Sequence, residues 1–418
     1  MTLSEELTWR GLVKDKTFDD IQWLDTPRTF YLGADAASAD SLTIGNLAIY
    51  MLARRLAQHG WKTVLLMGGA TSRIGDPGGK DEERQLQPIE EVEHNIAGVA
   101  SQVRRIFAGL DFELVNNYDW FKDITLLDFL RDVGKHYSMT ELVQRDYIAS
   151  RIGEGGNGIS YAEFSYSLIQ GYDYWWLFKN KGVELQIGGS DQWGNMLSGA
   201  PLIRKKEGKE VHALSMPLVM NKATGKKFGK SEEGAVWLDP ARTTPTQFYQ
   251  FWITCDDEGV EDYLKIYTLL SKDEIADLLA KHQENPRERL AQTRLAQEVT
   301  RLVHGDAELA VAETVTAVLV GKTPVADLDD AALEAMKKEV PSLQLSRGWD
   351  IVNALVETGL ASSRTEARRL IKDNAISVNG QKIQRDTFEE EDFKNGRLLV
   401  RKGKAFKDSA LIERVDHQ

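Results

Sequence analysis

Cysteine is nearly missing from this chain: Cys255 is the single one in 418 residues. One thiol closes no intrachain disulfide and builds no cysteine-based zinc site, and such usage suits a reducing compartment. Long apolar runs are missing as well. No stretch of about 18 residues is apolar enough to cross a bilayer, and residues 1–16 are charged, without the apolar segment of a secretory signal. The seven histidines show no metal-ligand spacing, and no Ser/His/Asp or Cys/His arrangement stands out. No covalent enzyme intermediate and no metal ligand set is therefore expected. Excess positive charge is lacking too. The formal charge of -12 argues against blanket coating of nucleic acid. The acidity is uneven, however. From Leu343 onward there are 14 Lys/Arg against 12 Asp/Glu, a local +2 on a remainder of -14. A basic patch on an acidic protein fits a specific RNA partner.

What the chain does have starts with Lys227-Phe228-Gly229-Lys230-Ser231. Two lysines three residues apart flank a glycine, which permits an open, mobile backbone, and ammonium groups make point contacts with phosphate oxygens. Upstream, Thr29-Phe30-Tyr31-Leu32 is β-prone. Ser41 is a plausible N-cap, the pattern from Thr43 to His59 is helical, and Thr63 to Met67 is a continuous apolar run. Strand, helix and buried strand at this spacing form a βαβ unit, which predicts an α/β fold with a doubly wound, Rossmann-like domain. Thr43-Ile44-Gly45-Asn46 occupies the first helical turn, where free backbone N–H groups favour phosphate. Val183 to Ile187 and Leu214 to Val219 read as further strands. Phe248 to Leu319 is mainly helical, and Lys322 to Ser342 reads as a connector.

Gly68-Gly69-Ala70-Thr71 and Gly75-Asp76-Pro77-Gly78-Gly79-Lys80 follow the second strand, where open α/β sheets bind ligands. Asp76 can accept from an ammonium group, and Lys80 and Arg84 can reach phosphate. Tyr166, Gln170 and Asp173 share one face of an apparent helix amid dense aromatics, which suits a polar, ring-bearing ligand.

In this order, these segments resemble the bacterial-type tyrosyl-tRNA synthetases, class I enzymes with a Rossmann-like catalytic domain. Thr43-Ile44-Gly45-Asn46 stands where that family has H-I-G-H, and Gly68 to Pro77 is similar to its G-G-A-T-x-x-I-G-D-P. Asn116 to Trp120, Phe129 to His136, Glu163 to Tyr166 and Gln186 to Asn195 look like family blocks, and Lys227 to Ser231 is similar to its K-M-S-K-S loop. The chain departs from the family at both histidines of H-I-G-H, and its loop Asp35 to Asp40 is one residue longer and lacks a proline.

The resemblance implies a role for each matching residue. Tyr31 and Asp173 would bind the phenolic hydroxyl of tyrosine, and Asp76, Tyr166 and Gln170 its ammonium group. Asp35 and Gln192 would lie near the amino acid and the adenylate, with Asp191 near the ribose. Thr43, Gly45 and Asn46 would face ATP, while Lys80, Arg84, Lys227, Lys230 and Ser231 close on the leaving pyrophosphate. It implies ATP as substrate, Mg²⁺ accompanying it without a protein ligand cluster, no prosthetic group, tRNA(Tyr) as partner, a cytoplasmic homodimer with its contact around 125–165, and no membrane. The tail resembles an S4-type RNA-binding module, with Arg364, Arg368 and Lys372 along one helical face and Arg369 beside them. The implied divisions are 1–245 (with an insertion at about 120–180), a helical anticodon-arm domain 246–325, a linker 326–342 and the S4-like module 343–418. Three readings stay open beside it: the sister enzyme for tryptophan, an RNA-binding protein on a disabled scaffold, and an enzyme that makes tyrosyl-adenylate without charging tRNA.

Overall fold

The apolar runs become neighbouring parallel strands because both of their faces are covered. A computed structural model describes every residue except 35–38, 76–86, 145, 154–155, 232–233, 346–349, 404, 406–407 and 416–418; at 146–147 and 230–231 it describes the backbone alone. Six strands form one sheet: β1 (Asp15–Lys16), β2 (Thr29–Ala34), β3 (Lys62–Met67), β4 (Glu113–Asn116), β5 (Leu185–Gly189) and β6 (His212–Met216). Their order is β1-β6-β5-β2-β3-β4, parallel throughout except for the antiparallel edge strand β1. The chain leaves β2 toward β3 on one side and later returns to β5 on the other. The crevice beyond the carboxyl ends of β2 and β5 is thus the switch point at which such sheets bind ligands. The strand expected over Leu214 to Val219 ends at Met216, and 217–219 continue without regular structure.

Helix Ile44–Gln58 joins β2 to β3. Its N-cap is Thr43, not Ser41: the Ser41 hydroxyl donates to the Leu42 carbonyl and accepts from the Asp239 N–H. The far end of this helix carries Arg55, only 1 % exposed. Its guanidinium donates to the carbonyls of Lys265, Ile266 and Thr268 at 2.6–3.0 Å. Arg10 donates to the carbonyls of Lys265 and Leu270, and Glu6 pairs with both arginines. These two cations satisfy carbonyls that helix Val260–Tyr267 leaves unpaired at its end. That contact explains a division that differs from the expected one. The chain forms two compact units, Met1–Asp239 with Cys255–Ala291, and Pro240–Thr254 with Gln292–Gln418. The stretch 246–325, read above as one domain, is therefore shared between them.

In the second unit, the stretch 326–342 is packed, unlike a loose linker. Helix Asp330–Glu339 buries Leu333 and Met336 against Val315, Val318, Leu319, Leu399 and Leu411. The tail sheet orders Gln381–Lys382, Ile376–Val378, Arg397–Lys402, Ser409–Arg414 and Ser342–Leu345, with the last pair parallel. Helices Ile351–Glu357 and Arg364–Lys372 cover one core with it, built on Leu355, Ala367, Ile371, Leu398 and Ile412.

Candidate active site

A cavity of about 480 Å³ opens at the carboxyl ends of β2 and β5. Its inner wall is helix Tyr161–Lys181, capped by Ser160, which places Tyr166, Gln170 and Asp173 on the cavity side as their spacing implies. Asp173 is 1 % exposed. Trp120 Nε1 donates to its Oδ1 at 2.9 Å and Asn117 Nδ2 to its Oδ2 at 3.1 Å. Burial nevertheless outweighs these two donors and pushes the carboxyl up to about 7. Across from it stands Tyr31 of β2, also 1 % exposed, whose hydroxyl has no hydrogen-bond partner among the described residues. Burial, then the charge of Asp173, holds that phenol well above its usual range, so it stays a donor. A buried hydroxyl left unpaired beside a buried carboxylate, both lining one cavity, is a pair built for a third polar group.

The turn after β5 supplies Asp191 and Gln192. Gln192 Oε1 accepts from Asn195 at 3.2 Å, and Asp191 and Gln192 both line the cavity. At Gly188, a β-carbon would lie 2.6 Å from Met196 Sδ, so any other residue would make that methionine shift.

The opposite wall is the start of helix Ile44–Gln58. Thr43 and Asn46 bond to each other in a capping box. Asn46 N–H donates to Thr43 Oγ1 at 3.4 Å, and Asn46 Oδ1 accepts from Thr43 N at 3.0 Å and Oγ1 at 2.9 Å. The amide Nδ2 of Asn46 stands outside this box. Thr43, Gly45 and Asn46 all line the cavity, as does Lys227, whose Nζ sits 3.5 Å from Asp191 Oδ2. The lysine loop is less open than its glycine suggested. Phe228 is buried with its ring stacked on Tyr263, centroids 4.1 Å apart. Gly229 has φ +110°, and a β-carbon there would lie 3.2 Å from the Gly45 nitrogen. The glycine serves close packing as much as freedom. The backbones of Lys230 and Ser231 pair with Ala235 and Gly234, and their side chains lie outside the described residues. So do Asp35, Asp76, Lys80 and Arg84 in their entirety.

In the second unit, Arg364, Arg368, Arg369 and Lys372 are all exposed on helix Arg364–Lys372, whose N-cap is Ser363. Among the described residues, no cluster of three or more His, Cys, Asp or Glu side chains is placed to hold a metal. No described helix is long and apolar enough to cross a membrane. Asn117, Trp120 and Tyr263 carry parts of the site that received no individual role from the sequence. Asn117 and Trp120 stand in a recognisable block, but their task is set by Asp173, more than 50 positions away.

Known proteins match the chain over nearly its full length. Residues 25–320 match the model of class I tRNA synthetases (W and Y), and residues 332–407 match a tyrosine–tRNA ligase SYY-like C-terminal domain. The chain is 42 % identical to a tyrosine–tRNA ligase 2 of Bacillus cereus, covering 99 % of this chain and 100 % of the relative. It is 41 % identical to the tyrosine–tRNA ligase of Latilactobacillus sakei, covering 96 % of each. Among solved structures, a C-terminally truncated mitochondrial tyrosyl-tRNA synthetase of Aspergillus nidulans superposes with a TM-score of 0.68 at 30 % identity, covering 76 % of this chain and 94 % of that one.

Proposed function

The chain belongs to the tyrosine–tRNA ligase family of class I synthetases, and from this premise we propose how its residues share the reaction. It activates L-tyrosine with ATP and passes the tyrosyl group to tRNA. A tyrosine carboxylate oxygen bonds to the α-phosphorus as the bond to the pyrophosphate oxygen breaks. A hydroxyl of the terminal ribose then displaces AMP from the adenylate. Neither step needs an enzyme nucleophile; positioning and charge stabilisation suffice.

The observation that carries the division of labour is the unpaired Tyr31 hydroxyl facing the cavity with Asp173. The substrate phenol donates to the Asp173 carboxylate and accepts from Tyr31. Phenylalanine would leave both groups unsatisfied in a buried site, which is the costly outcome. Tyr166 and Gln170 line the same wall and, with Asp76, hold the ammonium group. Asp35 and Gln192 flank the carboxylate and the adenylate, and Asp191 takes the ribose. Gly45 lets the nucleotide approach the helix start, where Thr43, Asn46 and the free N–H groups meet the phosphates. Lys80, Arg84, Lys227, Lys230 and Ser231 neutralise the departing pyrophosphate. The nucleotide enters as its Mg²⁺ complex, a cation that prefers phosphate oxygens and water to an all-protein cage.

The helices of 246–325 and the stripe Arg364, Arg368, Arg369 and Lys372 contact tRNA phosphates. Leu126, Leu127, Met139, Ile152 and Tyr161 are each at least half exposed, an apolar surface that suits a second copy of the chain over 125–165. A cytoplasmic setting suits the tRNA substrate and the lone Cys255 thiol. The test is amino-acid-dependent ATP–pyrophosphate exchange with tyrosine, phenylalanine and tryptophan. Exchange with tyrosine alone is expected; exchange with phenylalanine at a comparable rate removes the Tyr31–Asp173 assignment.

A further inference from the structure

We propose that Tyr263 is a positioning residue for adenylate formation, holding the lysine loop in reach of the phosphates through its stack on Phe228. The inference rests on the reading of Lys227 given above. Four observations converge on it. The loop is tethered to helix Val260–Tyr267 at two neighbouring positions: Phe228 stacks on Tyr263 at 4.1 Å and 24°, and Lys222 Nζ pairs with Asp262 at 2.5 Å. The platform is itself braced, since the Tyr263 hydroxyl donates to Asp256 Oδ2 at 2.9 Å and Asp256 Oδ1 accepts from the Gly259 N–H. The carboxyl end of the platform is pinned by Arg55. Arg55 stands on helix Ile44–Gln58, the helix whose first turn carries Thr43, Gly45 and Asn46. Finally, Gly229 packs against Ile44 and Gly45 of that same turn.

One helix therefore holds the phosphate-facing turn at its start and, from its far end, the bench on which the lysine loop rests. Phe228 and Gly229 make a fixed pivot, and the two lysines lie on either side of it. Lys227 contributes to the transition state only during the fraction of time its loop is placed, so a weaker pivot lowers the rate by that fraction. An aromatic pair of this kind is worth a rate factor of about 3 to 10.

The experiment is a double-mutant cycle read by single-turnover formation of tyrosyl-adenylate, with tyrosine affinity measured alongside. Tyr263→Leu is expected to slow adenylate formation about 3- to 10-fold while leaving tyrosine affinity within about twofold. In a Lys227→Ala background the same change is expected to cost clearly less than in the wild type, because only Lys230 remains for the loop to deliver. Tyr263→Phe, which keeps the ring and loses only the brace to Asp256, restores most of the rate. Phe228→Leu repeats the test from the loop side should Tyr263→Leu fail to fold. Losses that multiply independently in the Lys227→Ala background, or a Tyr263→Phe enzyme as slow as Tyr263→Leu, overturn the proposal. A Lys227→Ala enzyme with wild-type exchange overturns the reading of the lysine loop first, and this inference with it.

Discussion

The two ends of the cavity are built on opposite plans. At the amino-acid end, Tyr31 and Asp173 are each 1 % exposed, and Asp173 is held by an indole and an amide donor. At the nucleotide end, Asn46 is exposed, Thr43 and Asn46 satisfy each other, and Lys227 reaches out to an Asp191 that is solvated as well. The contrast separates two tasks. Telling tyrosine from phenylalanine depends on the cost of an unsatisfied buried group, and that cost exists only where water is excluded and the partners cannot move away. Stabilising charge on a leaving group depends on groups that tighten as the charge develops, which favours side chains free to leave one partner for another.

On this contrast, the largest effect belongs to the buried end. Asp173→Ala is expected to lower tyrosine activation about 100-fold and to erode discrimination against phenylalanine, both read from exchange kinetics with each amino acid. Rejection of phenylalanine at its original level would show that the discrimination resides elsewhere. The next effect is a pH dependence confined to one end. With its carboxyl pushed up to about 7, Asp173 is expected to be mostly protonated at pH 6 and mostly ionised at pH 8 before tyrosine binds. Accepting from the substrate phenol favours the ionised form. Tyrosine affinity is therefore expected to rise about tenfold from pH 6 to pH 8, flattening in Asp173→Asn, whereas phenylalanine affinity gains nothing. Calorimetric or fluorescence titration at several pH values decides it.

The smallest effect lies at the exposed end. Thr43→Ala removes a cap and is expected to cost about 1 kcal/mol of stability, read as a lowered midpoint in thermal or urea unfolding. Its effect on exchange is expected to be smaller than that of Asp173→Ala. Unchanged exchange would make Thr43 a cap alone, and a larger loss than at Asp173 would invert the comparison.

How much of this was legible before the fold was known follows the same line. Strands β2 and β3 and the helix between them were readable because each is a local pattern of apolar residues with a stop signal, Gly60, in place. The face shared by Tyr166, Gln170 and Asp173 was readable for the same reason. What was not readable was long-range. Nothing in the spacing of Asn117 and Trp120 says that they hold Asp173, and nothing near Phe228 points to Tyr263. Local cues also misled where two candidates compete. Ser41 resembles a cap as much as Thr43 does, and the choice is made by Asp239, almost 200 positions downstream. The acidic, proline-containing stretch before 342 reads as a connector until the strands carrying Leu399 and Leu411 bring an apolar surface to Leu333 and Met336.

The capping box at the start of helix Ile44–Gln58 has an evolutionary consequence. Thr43 and Asn46 satisfy each other through three hydrogen bonds, so neither side chain is a free variable. Replacing either side chain alone discards two of the three bonds, including the one between the side chains. A lineage leaving this pair one substitution at a time is therefore expected to pass through a less stable helix start, with that loss as the barrier between one solution and the next.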